Sequence, residues 1–287
     1  MCTAYNSGNW RTFEVTTRVE VLRPSGPTRI WVPAALIVST PYQKTLATTF
    51  HCEDGSVKHW LQPTRLLPTD GIVKQRAQEI TKNAGTDVSK ARAIYEWIVE
   101  NPYRNPKTRG CGVGNIRFML ESGDLGGKCA DLNALYVGLA RAAGLPARDV
   151  YGIRVAKSDM GYKSLGTSSD NVTKAQHCRA EVHLSSYGWV AADPADVRKV
   201  MLEEPPGHLP PDNELVKEAR TRLFGSREMN WMAYNFSHDV ALPGGSGPSL
   251  GFLMYPQAET AHGRLDSLDP DSFRYEITSR HIMPASG

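Results

Sequence analysis

Covalent staples are scarce in this chain. Its 287 residues include five cysteines, Cys2, Cys52, Cys111, Cys129 and Cys178, an odd number with no Cys-x-x-Cys. That spacing excludes a zinc knuckle or a thioredoxin-like pair, and a chain this long buries enough core to fold without disulfides. Long apolar runs are also missing: nothing approaches the ~18 residues of a membrane-spanning helix. Charge of one sign is not concentrated. The formal net charge is +3, from 33 basic and 30 acidic residues that interleave, as between Lys74 and Glu79. Such a pattern offers no basic face to nucleic acid. The start, MCTAYNSGNW, lacks the basic and apolar parts of a secretory signal. The expectation is a cytoplasmic protein, or an exported one whose leader has been removed.

Metal and phosphate signatures are absent too. The seven histidines other than His177 form no His-x-His or His-x-x-x-His pair, and the glycine clusters precede no Gly-Lys-Ser/Thr. Asp266, Asp269 and Asp271 lack the glycine and distal glutamate of a calcium loop. No metal site and no cofactor is expected, and there is no internal repeat.

What is present is an ordinary globular composition, 40% hydrophobic and 22% charged. Phe13, Val15, Thr17, Val19 and Val21 alternate with Thr12, Glu14, Thr16, Arg18 and Glu20, which predicts a half-buried strand. Pro24, Gly26 and Pro27 predict a turn, with 29–32 returning as the hairpin partner. Asp70 is placed to cap a helix carrying Val73, Ala77 and Ile80, and Thr86 or Asp87 to cap one carrying Val88, Ala91, Ile94, Tyr95 and Ile98. Residues 101–126 read as a loop with a short helix near 116–120. Strands are expected over 149–155, 180–185 and 188–192, with a tight turn at Tyr187-Gly188, then a helix over 215–224 and strands at 252–255 and 273–278. Three regions follow: a β-rich segment 1–68, a core 69–200, and a C-terminal extension 201–287 packing on that core.

The most informative segment is 126–148, GGKCADLNALYVGLARAAGLPAR. Gly126-Gly127 deliver Cys129 to the first turn of a helix whose Leu132, Leu135, Tyr136, Leu139 and Ala143 leave little polar surface, so the helix is central and buried. His177 lies 48 residues further on and Asp193 another 16, each on or at the end of a strand pattern. A thiol attacks as thiolate, and a helix N-terminus and an imidazolium both stabilise that anion. His177 is the candidate base and acid, Asp193 the acceptor that fixes its ring, and the Cys129 N–H an oxyanion donor. Asp196 is the weaker candidate for the orienting acid. Cys178, next to His177 on the strand, is expected to face the core, and Cys111 to anchor a packed loop.

These residues resemble the transglutaminase-like cysteine enzymes, in their bacterial peptidase or amidase form. The shared pieces are Gly127-Lys128-Cys129, Arg141 to Arg148, His177 to Glu181, and Gly188-Trp189 to Asp193-Pro194. The resemblance covers roughly 70–200. It implies an α+β, papain-like transglutaminase core, with the nucleophile at the N-terminus of a buried helix on an antiparallel sheet and Cys129, His177 and Asp193 as a triad. It also implies a cysteine hydrolase cleaving an amide or peptide bond through a thioester. The alternatives are amine transfer to the same acyl-enzyme or a non-catalytic binding module. The partner implied is a peptide or small amide, with Gly127, Lys128 and Arg179 in the oxyanion and substrate-binding set. Arg179 stands where the family commonly has tryptophan. Two residues after His177, it is expected on the same strand face, either pairing with a substrate carboxylate or salt-bridged as scaffold.

Overall fold

A computed structural model describes residues 10–22, 28–36, 38–40, 42–45 and 57–282. Strand β1 (Thr12–Val21) forms where the alternation predicts it, but it pairs antiparallel with β13 (Phe273–Ile282), Thr12 opposite Ile282 and Val21 opposite Phe273. The predicted hairpin is therefore corrected: β2 (Arg29–Trp31) pairs with β11 (Gln257–Thr260), itself paired to β12 (Gly263–Arg264). The turn expected at 24–27 lies outside the described residues, as do Cys2 and Cys52.

Helix α1 (Gly71–Thr81) starts after Asp70, whose carboxylate makes no cap bond and instead accepts from Arg117 at 2.8 Å. Helix α2 (Asp87–Glu100) has a reciprocal cap. Thr86 Oγ1 accepts the Ser89 N–H and Ser89 Oγ accepts the Thr86 N–H, an arrangement that stabilises by about 1 kcal/mol. A short β3 (Tyr103–Arg104), helix α3 (Ile116–Ser122) and β4 (Gly126–Gly127) follow, β3 and β4 lying parallel with Arg104 opposite Gly127.

Helix α4 (Cys129–Ala142) is the centre of the core. Leu132, Leu135, Tyr136 and Leu139 have no exposed surface, and each such side chain contributes about 1.5–3 kcal/mol by burial. Helices α1 and α2 and the sheet pack around it. That sheet has the order β7-β6-β5-β8 and is antiparallel throughout: β5 (Ala147–Arg154), β6 (Gln176–Leu184), β7 (Gly188–Ala192) and β8 (Trp231–Asn235). Helix α5 (Pro194–Glu203) runs directly off β7, and α6 (Glu214–Arg222) follows it, capped by Asn213. A hairpin of β9 (His238–Val240) with β10 (Leu250–Phe252) completes the elements. The C-terminal third thus supplies an edge strand, β8, to the central sheet. Among the described residues no helix is long and apolar enough to cross a membrane.

Candidate active site

The start of α4 is held from three sides. A Cβ on Gly127 would lie 2.4 Å from the Asp131 Cβ, so only glycine lets Asp131 fold back over the chain here. The Asp131 carboxylate accepts the Lys128 N–H at 3.0 Å and the N–H groups of Val113 and Gly114 at 2.9 Å each. The Cys111 carbonyl accepts the Ala130 N–H at 2.9 Å. Cys111 therefore anchors the loop as expected, and loop 111–114 is tied to the helix. Among the described residues the Cys129 N–H has no acceptor, and it sits at the partly positive end of the helix.

Strand β6 carries His177, and the neighbouring strands fix it. The Trp231 indole N–H donates to the His177 carbonyl at 2.9 Å. Gly152 lies opposite His177 in the ladder, and a Cβ there would come within 2.5 Å of the Trp231 ring and 2.2 Å of the Met232 carbonyl. Asp193 is the N-cap of α5. Its Oδ1 accepts the Asp196 N–H and the Asn133 amide, both at 3.1 Å, and its Oδ2 lies 2.8 Å from His177 Nε2. Asp196, on the first turn of α5, places Oδ2 3.3 Å from the same Nε2, while its Oδ1 accepts from Arg154 at 2.6 Å. With Nε2 occupied by the two carboxylates, Nδ1 is the ring nitrogen left for Cys129, whose sulfur is within hydrogen-bonding reach of the His177 side chain.

The electrostatics favour a charged pair. The Cys111 and Cys178 side chains beside it hold Cys129 well below the ordinary thiol range, against its burial, and His177 adds to the effect. Burial and Arg154 oppose a charge on His177, yet Asp196 and Asp193 outweigh them and raise it to about 10. Asp196 is itself buried, and Arg154 and His177 hold it well below the carboxylate range. Arg154 and Arg179 balance Asp193 and Asp196, so the thiolate–imidazolium pair has surroundings of no net charge.

Cys129, His177 and Asp193 are thus brought together, with Lys128 and Cys129 in the wall of one cleft of about 320 Å³. Arg179 is not in that wall. It is 2% exposed, its Nε 3.5 Å from Asp193 Oδ2 and its guanidinium 4.6 Å over the Trp231 ring. Of the two readings of Arg179, substrate contact or a scaffold salt bridge, its burial and its contact with Asp193 fit the second: it sits behind the acid, where a buried carboxylate needs a counter-charge. Asp196, the weaker candidate from sequence, also touches the histidine. Two further groups were not assigned from sequence: Arg154 pairs with Asp196, and Cys178 meets the Cys129 sulfur. Asp193-Pro194 with Asp196 three residues on is a helix-start signal that places Asp196 back toward the cap. His177, Asp193 and Asp196 bring possible metal-ligand atoms within 4.8 Å of one another. Arg154 and Arg179 already supply the positive charge those carboxylates require.

Residues 74–194 match the sequence model of the transglutaminase-like superfamily. The chain is 37% identical over 235 residues to an uncharacterized protein of Haemophilus influenzae, across 79% of this chain and 63% of that one. Among solved structures, a candidate cysteine protease from Cytophaga hutchinsonii is similar at 15% identity and a TM-score of 0.44, over 82% of this chain and 59% of that one. The periplasmic domain of TgpA from Pseudomonas aeruginosa is similar at 19% identity and a TM-score of 0.37, over 50% of this chain and 48% of that one. The chain spans less than two thirds of the length of each of these relatives. It carries a transglutaminase-like domain over residues 74–194.

Proposed function

We propose that the protein is a cysteine hydrolase that cleaves an amide or peptide bond through a thioester on Cys129. The observation that carries this reading is the placement of a depressed thiol at the start of α4 beside a histidine whose Nε2 is 2.8 Å from Asp193. The Cys129 thiolate attacks the amide carbonyl carbon. A C–S bond forms, and the oxyanion accepts the Cys129 N–H. Collapse breaks the C–N bond as the His177 imidazolium protonates the leaving amine. Water then attacks the thioester, giving its proton to neutral His177. The C–S bond breaks, releasing the acid and restoring the thiolate–imidazolium pair. Asp193 and Asp196 hold the ring in place throughout and stabilise its charge whenever it is protonated.

Hydrolysis is favoured over amine transfer because the cleft wall is polar, with Ser164, Thr167, Ser168 and Asn171 in it, a lining that admits water to the acyl-enzyme. The test is to incubate the protein with a peptide library, with and without a primary amine, and to identify products by mass spectrometry. Cleaved products lost in Cys129→Ala support the reading. Amine-adduct products replace it with an acyltransferase, and turnover that survives Cys129→Ala overturns it.

A further inference from the structure

The cleft over Cys129 has a one-sided charge. Its wall includes Arg104, Lys128, Arg154, Lys174 and Lys199 and no carboxylate side chain. Some of this charge is committed. Arg154 is paired with Asp196, and Arg104 and Lys199 share Glu203, leaving one positive charge among those three. Lys128 and Lys174 have no ion-pair partner among the described residues. With the thiolate–imidazolium pair neutral, the cleft carries an excess of about three positive charges. An interleaved sequence gave no sign of it, because the five side chains come from five separate segments.

The charges also flank the nucleophile. Lys128 immediately precedes Cys129, and Arg104 lies opposite Gly127 in the β3–β4 pair. Lys174 comes from the segment entering β6, three residues before His177. Gln176, in the same wall, has a side-chain nitrogen with no hydrogen-bond partner. A bound acyl group on the Cys129 sulfur would therefore share the cleft with these cationic groups and with neutral donors.

We infer that the cleft selects an anionic acyl donor, a peptide or amide with carboxylates near the scissile bond, held by Lys128 and Lys174. This deepens the hydrolase reading and rests on it for the chemistry, but the charge preference is measurable without turnover. Arg179, behind Asp193, takes no part in it.

Two measurements test the inference. The first compares inactivation of the full chain by iodoacetate and by iodoacetamide, with glutathione as the reference thiol, at low and high salt. The iodoacetate-to-iodoacetamide rate ratio should exceed that of glutathione, fall toward it as salt screens the cleft, and drop about two- to fivefold in Lys174→Glu. The second uses Cys129→Ala and measures binding of N-acetyl-Glu-Ala-Glu against its fully amidated counterpart by calorimetry. Tighter binding of the acid form, weakened about two- to fivefold by Lys174→Glu on the same background, is expected. Acid-selective binding alongside an inert Cys129 sinks the hydrolase reading and leaves the anion preference standing. A glutathione-like ratio with equal binding of the two peptides overturns the preference, whatever the thiol does.

Discussion

Asp196→Asn tests whether the proton on His177 is held by two carboxylates. Asp196 Oδ2 is 3.3 Å from Nε2, against 2.8 Å for Asp193. Two unit charges at such a distance interact by about 5 kcal/mol at an effective dielectric of ~20, an upper figure because both charges are delocalised. One pKa unit corresponds to about 1.4 kcal/mol, so Asp196 accounts for at most about 3.5 units of a value that stands near 10. In Asp196→Asn, burial and the Arg154 charge act against Asp193 alone. The His177 midpoint should fall by about 2–3 units, followed by ring carbon chemical shifts of labelled histidine, with His177→Gln to assign the signal. Unfolding free energy should also drop, by about 3–5 kcal/mol, because the Arg154 guanidinium stays buried without its partner. Adding Arg154→Met should return part of that stability, while the midpoint stays below that of the parent. A wild-type midpoint near the ordinary 6.5, or one unmoved by Asp196→Asn, would refute the two-carboxylate account.

The thiol cluster gives a second expectation: Cys111→Ala should raise the pH at which iodoacetamide labelling of Cys129 sets in, and Cys111→Ser should restore part of the effect, since a hydroxyl still donates. Identical labelling profiles in all three proteins would remove Cys111 from the site. Cys129→Ser should change the pH dependence of stability. A raised His177 contributes stability that is complete below its unfolded value of about 6.5 and lost as pH rises toward about 10, whereas a depressed Cys129 contributes stability present above about 8.5 and lost as pH falls. Between about 6.5 and 8.5 the two slopes cancel in the parent, so urea midpoints there should be flat in the parent and decline with pH in Cys129→Ser. A flat variant means no ion pair forms. Arg179→Met should lower kcat/KM equally on acidic and neutral peptides, with lost stability, and a loss confined to acidic peptides would return Arg179 to substrate recognition.

What the sequence made legible was local. The glycine pair before Cys129, the apolar periodicity of α4 and the Tyr187-Gly188 turn each depend on residues a few positions apart, and all three are found where they are expected. The partners of β1 and β2 were not legible, because alternation fixes which face of a strand is buried and says nothing of which distant strand it meets. Asp196 was set aside as a turn residue because the Asp-Pro step was read as the end of β7 and not as the cap of α5. Period two correctly placed Arg179 on the His177 face, but α5 delivers Asp193 and Asp196 to that same face, so the guanidinium meets protein carboxylates there. The convergence of Cys111 and Cys178 on Cys129 links a loop, a strand and a helix, and no pairwise spacing encodes it.

The pairing of β1 with β13 sets an order of assembly. Thr12 leaves the ribosome 270 residues before its ladder partner, Ile282, so β1 lacks that partner until nearly all of the described chain after it has been made. β2 waits almost as long, for β11. Helix α4 and strands β5 to β7 meet across much shorter stretches of chain and can form while both N-terminal strands are still free. During that interval β1 and β2 present unpaired edges, the kind that invite pairing with another nascent chain. Synthesis that stops short of residue 257 would leave both strands in that state permanently, with the helix that carries the nucleophile already built.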